Sequence, residues 1–262
     1  MDYKNLFDMT GKVCIVTGGT GYLGSANVKA LQAFGATVVV ADIRAAEERW
    51  ANADQVVGDM FVACDIMSTE SMKECFQTVY DKYGRIDVLI NCAMVGAGFG
   101  LESQLEYMPD AVFEKGINGG LTSTFRGIRE VVPFMKEKGG SIINYCSMYG
   151  VVAPDLRIYG DNPAKQPPNY GAAKAGVQQL TRYAAGALAP YNIRVNCVVP
   201  GTFPNPNVRE DPVFTAKLAE KTMLGRPGVN HEIAGAIVLL ASDASSFMTG
   251  SSVTVDGGWT AW

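Results

Sequence analysis

Val13-Cys14-Ile15-Val16-Thr17 is an unbroken apolar run, mostly β-branched, that ends on the turn Gly18-Gly19-Thr20-Gly21-Tyr22-Leu23-Gly24. No other stretch limits the fold so strongly. A continuous run of this length reads as a strand buried on both faces, which places it in a parallel sheet with helices above and below. The turn contains Gly19-x-Gly21-x-x-Gly24 and opens onto a helical pattern at 22–34. Glycines at that spacing allow a tight turn, let a pyrophosphate approach the backbone and let helix and strand pack closely. The helix then presents free N–H groups and a partial positive charge to the phosphates. The stretch predicts a dinucleotide site with Gly18, Thr20, Gly21, Tyr22, Leu23 and Gly24 in it.

The alternation continues along the chain. Thr37 to Asp42 reads as a second buried strand and Phe61 to Asp65 as a third, and Ser68 is a good N-cap for a helix running to about Tyr83. On that helix Met72, Phe76, Val79 and Tyr83 recur at helical spacing and are expected in the core. Strand-like runs follow at 86–93, 140–147, 193–199 and 251–256, with helical stretches between them. The pattern predicts an α/β fold: a doubly wound parallel sheet of the Rossmann type, about seven strands with helices on both faces. No internal repeat or Ser/Gly linker divides the chain, so 1–262 is expected to be a single dinucleotide-binding and catalytic domain. Two proline-rich, loop-like stretches, at about 151–169 and 202–225, are expected on the substrate side.

Composition excludes several classes. A formal charge of −4 gives no basic surface for nucleic acid or anionic membrane. No apolar run approaches the roughly 18 residues of a membrane span, and residues 1–12 lack the apolar core of a secretory signal. The six cysteines, at 14, 64, 75, 92, 146 and 197, form no C-x-x-C pair and mostly sit in apolar runs. Free thiols of that kind behave as small hydrophobes; neither disulfides nor a metal site is expected, and a reducing, cytoplasmic setting is.

The chemistry gathers at Tyr170-Gly171-Ala172-Ala173-Lys174. Residues four apart share a helix face, so Tyr170 and Lys174 can point into one cleft. A free tyrosine has a pKa of about 10 and is roughly one part in a thousand ionised at pH 7. A nearby ammonium and a bound cationic ring would close that gap and let the phenol take a proton from an alcohol or give one to a carbonyl. Asp42, at the end of the second strand with Ile43 beside it, can accept bonds from both hydroxyls of an adenine ribose and would repel a 2′-phosphate. That favours NAD over NADP; Arg44, close by, would soften the preference. Asp65, with Ile66, ends the third strand, placed either to touch the adenine or to cap the next turn.

At this point the chain resembles the short-chain dehydrogenase/reductase family in its compact form, over Lys12 to Gly258. The likeness rests on Thr17-Gly18 with the glycine turn, Asn91-Cys92-Ala93, Asn118, Ser147, Tyr170 with Lys174, Pro200-Gly201, and the ending Val255-Asp256-Gly257-Gly258. It implies that Tyr170 is the general acid/base, that Lys174 lowers its pKa and holds the nicotinamide ribose, and that Ser147 hydrogen-bonds the reacting oxygen. It further implies a relay water on Asn118, Asn91 and Ala93 lining the cofactor site, and Pro200, Gly201 and Phe203 bordering the nicotinamide. A homotetramer is implied as well, through the long helices at roughly 110–138 and 170–188 and through the C-terminal strand and tail. Three features depart from the compact pattern: Tyr22 in the glycine turn, Cys92 and Met94 around Ala93, and Cys146 before Ser147.

The 151–169 stretch, longer than is usual in the family, joins two of these positions and should hang over the site. There Arg157 could pair with a carboxylate and Tyr159 could stack on a sugar ring; Met94, Ser147, Tyr149, Tyr170 and Asn205 complete the expected substrate contacts. The wider similarity is to gluconate 5-dehydrogenase-like and other sugar dehydrogenases, which implies a carbohydrate-like small-molecule substrate. Two alternatives stay open: a 3-oxoacyl-carrier-protein reductase using NADPH, and a dinucleotide-binding regulator without turnover. The sole histidine, His231, reads as a surface residue.

Overall fold

In the computed structural model, which describes residues 3–43, 58–96 and 98–262, the first apolar run is strand β1 (Val13–Thr17), buried along its whole length. Val13 and Ile15 face one layer of the core and Cys14 and Val16 the other, which is why the run shows no polar alternation. Around it lie β2 (Thr37–Asp42), β3 (Met60–Ala63), β4 (Val88–Asn91), β5 (Gly140–Tyr145), β6 (Ile193–Pro200) and β7 (Ser252–Val255). The order across the sheet is β3-β2-β1-β4-β5-β6-β7, and every pair is parallel.

Helices cover both faces. On one side α2 (Thr69–Tyr83), α4 (Ser123–Met135) and α5 (Pro168–Leu188) bury Met72, Phe76, Val79, Ile128, Val131 and Leu188 against the sheet. On the other, α1 (Tyr22–Ala33) and α8 (Ala234–Ala241) bury Val28, Leu31, Ile237 and Leu240. The Ser68 hydroxyl accepts the Ser71 amide at 3.2 Å and so caps α2, and Gly84, at φ 70°, ends it.

Strands β3, β4 and β5 stop short of the apolar runs that suggested them, because the flanking polar groups have other bonds to make, and β7 is shorter by one residue at each end. Asp87 precedes β4 and takes the Arg85 guanidinium through both oxygens, at 2.6 and 2.8 Å, and the Val13 amide at 2.8 Å. Cys92 and Ala93 follow it and donate their amides to the Thr17 hydroxyl at 3.1 and 3.3 Å. Beyond β3, Asp65 turns the chain by accepting the Met67 amide, and beyond β5, Ser147 caps a short 3-10 turn.

The expected helix at 110–138 is in fact α3 (Asp110–Ile117) and α4 joined by a π turn over Asn118–Thr122. Two glycines supply its reason. A Cβ on Gly119 would lie 2.0 Å from the Val95 carbonyl oxygen, and one on Gly120 would lie 2.9 Å from Ala173 on α5. The wide turn lets the backbone close on both neighbours, and such turns recur at functional sites. The loop at 202–225 also carries structure, α6 (Pro206–Arg209) and α7 (Pro212–Glu220).

Consecutive strands run leftward from β1 to β3, and the order reverses between β1 and β4. The helices after β1 and β4 therefore depart to opposite faces and leave a crevice beyond the strand ends, where ligands of such sheets bind. The packing beneath it is tested by Phe76→Ala, a fully buried ring. Urea unfolding is expected to show a loss of about 3–5 kcal/mol with an unchanged m-value.

Candidate active site

The crevice is a cleft of about 410 Å³ that runs from Asp42 and Asp65 to Ser147, Tyr170 and Lys174. The glycine turn forms its floor. Gly18 donates to the Ala41 carbonyl at 2.8 Å and accepts from Gly21 at 2.9 Å, which folds the loop back on the sheet. Gly18 has φ +67°, and a Cβ there would come 2.9 Å from the Ala93 backbone. A Cβ on Gly24 would lie 2.1 Å from the Gly18 carbonyl oxygen, so α1 reaches the turn only because residue 24 has none. The result is bare backbone at a helix N-terminus, a fit for a pyrophosphate. Tyr22, one of the departures from the compact pattern, lines the cleft, and its phenol and carbonyl oxygens take the Asn230 amide at 3.4 Å and the Asn230 side chain at 3.1 Å.

Asp42 is buried at the end of β2. One carboxylate oxygen takes the Thr20 hydroxyl at 2.6 Å and the Thr20 amide at 3.2 Å, and the other takes the Ile43 amide at 2.8 Å. Thr20 is thus a support for Asp42 and not part of the cleft wall, while Asp42, Ile43, Asp65 and Ile66 line it. Arg44 lies outside the described residues.

At the far end, α5 begins at Pro168 and puts Tyr170 and Lys174 in its first two turns. The Lys174 ammonium is buried and donates to the Tyr145 carbonyl at 2.7 Å, 5.9 Å from the centre of the Tyr170 ring. Burial pushes its pKa below the usual lysine range. Burial pushes the Tyr170 phenol up, and a hydrogen bond with Ser147 works against that rise. The Ser147 hydroxyl also accepts the Tyr149 amide at 3.2 Å, which fixes its orientation. The ammonium expected to lower Tyr170 together with a bound cationic ring is thus held by a carbonyl, and burial of the phenol is the largest influence on Tyr170 in the protein alone.

Other expected residues are placed as follows. Ala93, Met94, Pro200, Gly201 and Phe203 line the cleft, as do Gly18, Gly21, Tyr22, Leu23 and Gly24. Asn91 does not: its amide donates to Asn144 at 2.9 Å and is closed in by Gly127, where a Cβ would lie 2.3 Å from it. Cys92 takes its place in the wall, with Cys64, Val95, Tyr145 and Cys146. The break of β4 after Asn91 swaps which residue faces the cleft, and strand alternation alone does not announce that break. The Cys92 thiol, pushed up to about 12 by burial, stays protonated. Asn118 opens the π turn and is not among the residues that line the cleft; its Oδ1 is buried and without a hydrogen-bond partner.

On the substrate side Arg157 is 86% exposed and held by both Asp155 oxygens at 2.8 Å, so it does not face the cleft. Asn205 spends its side-chain oxygen on the Val208 amide at 3.1 Å as the cap of α6. Tyr149 and Tyr159 sit in an aromatic cluster against Tyr170, with Trp259 and Phe214. His231 is exposed. Among the described residues no helix is long and apolar enough to cross a membrane.

A family profile described as enoyl-(acyl carrier protein) reductase matches residues 22–260. The chain is 37% identical over 256 residues to 3-oxoacyl-[acyl-carrier-protein] reductase FabG of Thermotoga maritima, covering 95% of this chain and 98% of that protein. It is 36% identical to trans-4-hydroxycyclohexanecarboxylate dehydrogenase of Sinomonas cyclohexanicum, over 95% of this chain and 93% of the relative. This protein is a short-chain dehydrogenase/reductase. A solved structure of a short-chain dehydrogenase from Leptospira borgpetersenii with bound NAD+ superposes with a TM-score of 0.85 at 32% identity, over 99% of this chain and 97% of that one.

As a member of that family the enzyme is an oxidoreductase acting on CH–OH groups with a nicotinamide dinucleotide. The glycine floor and the carboxylates beyond it fit that group, which when bound supplies the ring carbon that takes or returns hydride. Gly24→Ala tests the floor. A side chain 2.1 Å from the Gly18 carbonyl oxygen must push α1 outward, and NADH affinity by fluorescence titration is expected to fall about tenfold or more.

Proposed function

We propose that this enzyme is an NAD-dependent dehydrogenase that interconverts a secondary alcohol and a ketone on a sugar, polyol or sugar acid. The observation that carries it is the meeting of Ser147, Tyr170 and Lys174 at one end of a cleft whose other end presents Asp42. Asp42 takes the adenine ribose hydroxyls and sets its charge against a 2′-phosphate, which supports NAD.

In the oxidising direction the Tyr170 oxygen accepts the proton of the substrate hydroxyl as hydride leaves the carbon. Ser147, held by the Tyr149 amide, donates to the same oxygen and keeps it in line. The Lys174 ammonium favours the phenolate, and Tyr145 keeps that ammonium in place. The unpaired Oδ1 of Asn118 is an acceptor of the kind a relay water satisfies. The aromatic cluster beside Tyr170 suits a ring that carries hydroxyls. The working assembly is a cytoplasmic homotetramer, joined through the α4–α5 face and the C-terminal tail.

A second reading is the 3-oxoacyl-carrier-protein reductase, favoured by the 37% identity to the Thermotoga maritima enzyme. It requires NADPH, and Asp42 opposes that.

The test is nicotinamide absorbance with NAD and NADP over aldonates, polyols, free sugars and an acetoacetyl thioester. NAD-linked turnover of a sugar-type alcohol is expected, with Tyr170→Phe lower by about 10²–10⁴-fold. Asp42→Ala is expected to move the preference toward NADP by about tenfold, reading the loss of about 1.4 kcal/mol of discrimination. Thioester reduction with NADPH would establish the second reading instead, and NADH binding without any turnover would leave only a regulator.

The pH dependence follows from the direction of the Tyr170 shift. With the phenol raised, its ionised fraction grows tenfold per pH unit below the pKa, so oxidation should accelerate and ketone reduction slow as pH rises. Steady-state rates in both directions from pH 6 to 10 check the sign.

A further inference from the structure

Residues 151–167 lie in the chain between Ser147 and Tyr170, and α6 and α7 follow Phe203; all three of those residues line the cleft. The two stretches are packed together. Ile158 is buried in one cluster with Leu218 of α7, and the Tyr159 ring lies 5.4 Å from Phe214. Tyr170 packs against the same cluster, which also holds Tyr149 and Trp259, their rings edge-on at 6.2 Å. On its other side the 151–167 stretch is tied to the chain beyond β4. The Lys165 amide donates to the buried Ser103 hydroxyl at 2.7 Å, and the Gln104 side chain donates to the Pro163 carbonyl at 2.8 Å. It thus straps the chain that leaves β4 to the chain that leaves β6, beside Tyr170.

One carboxylate spans the joint between strap and helix. Asp155 accepts the Arg157 amide at 3.1 Å, which caps the turn at 156–159, and takes the Arg157 guanidinium at 2.8 Å. It also pairs with the ammonium of Lys221, the residue that caps the C-terminus of α7. Arg157 is 86% exposed and belongs to the same turn, so its pair fastens nothing else. The pair with Lys221 joins the two stretches, with side chains 18% and 35% exposed. Exposed ion pairs are screened by water and salt and contribute little, whereas a partly buried pair is screened less. The base of the second stretch is closed independently of the strap. There the Gly228 amide donates to the Thr202 carbonyl at 2.9 Å, and the Arg209 guanidinium donates to the Pro204 and Gly228 carbonyls. What the strap holds is therefore α7, beyond that base.

We propose that residues 151–167 and α7 form one two-part lid at the substrate end of the cleft, and that Asp155, through Lys221, is the positioning residue that clasps the two parts against Tyr170. Its part in the reaction rests on the dehydrogenase reading above; the clasp itself does not. An alcohol between Ser147 and Tyr170 is retained by a cover that opens as a unit. Loosening the clasp weakens the hold on substrate and leaves the glycine floor, at the other end of the cleft, as it was.

The experiment follows amide hydrogen exchange by mass spectrometry in the NADH-loaded enzyme, over peptides from 151–167 and 206–221, in wild type, Asp155→Asn, Lys221→Met and Lys221→Arg. Asp155→Asn keeps an oxygen to cap the turn and removes the charge, and NADH affinity within about twofold of wild type confirms that each variant is folded. Exchange in both segments is expected to rise together, about fivefold or more, in Asp155→Asn and Lys221→Met, and to stay near wild type in Lys221→Arg. With NAD and the best substrate among aldonates, polyols and free sugars, KM is expected to rise about fivefold or more in the first two variants while kcat stays within about twofold. A rise in exchange confined to one segment, or none, would overturn the lid. A joint rise with KM unmoved would overturn the positioning role of Asp155. A joint rise in an enzyme that turns over no alcohol would uphold the lid and sink the dehydrogenase reading, and turnover without joint exchange would do the reverse.

Discussion

Tyr145 joins the two halves of the site through two hydrogen bonds. Its phenol meets the Asn27 side chain on α1 at 2.7 Å, and its carbonyl accepts the buried Lys174 ammonium of α5 at 2.7 Å. A buried charge has to be paired or hydrogen-bonded, or it neutralises. The carbonyl at the end of β5 answers that requirement and in doing so fixes the height of α5 on the sheet. The helix behind the glycine turn and the helix that carries Tyr170 are thus registered by one residue, from opposite faces. Neither bond is exposed, so water does not compete for them.

The arrangement has an energetic consequence for the chemistry. With the Lys174 charge engaged by a carbonyl and its own pKa depressed by burial, the pocket by itself keeps the Tyr170 phenol protonated. A hydroxyl from Ser147 eases this only in part. In the proposed mechanism Tyr170 would hold the proton in the pocket alone, and a bound nicotinamide would supply the positive charge that favours its release. The same desolvation keeps Cys92 and Tyr145, its neighbours in the wall, un-ionised and out of the reaction.

Much of this was legible in the sequence, because the strongest signals there are backbone constraints. The run at 13–17 is apolar on both sides because it is buried on both sides, and Gly24 is demanded by a 2.1 Å approach that no side chain survives. Ser147, Tyr170 and Lys174 were likewise readable from spacing and resemblance. The residues misplaced by sequence reasoning are those whose neighbours are distant in the chain. Arg157 is claimed by Asp155 and Asn205 by the start of α6, and neither lines the cleft. Asn91 turns to Asn144, 53 positions away, and the π turn at Asn118 depends on how closely Gly119 meets Val95. Polar side chains in loops are assigned by local competition for hydrogen bonds, and composition does not reveal who wins it.

The account turns on Tyr170 being held protonated by its pocket and released by the bound nicotinamide. Tyrosinate absorbance near 295 nm, recorded against pH for wild type minus Tyr170→Phe, follows that one phenol. Without dinucleotide it should titrate above the ordinary tyrosine value of about 10, and with saturating NAD+ its midpoint should move down by a unit or more. A midpoint that stays put when NAD+ binds, or one already near neutrality without it, would contradict the account.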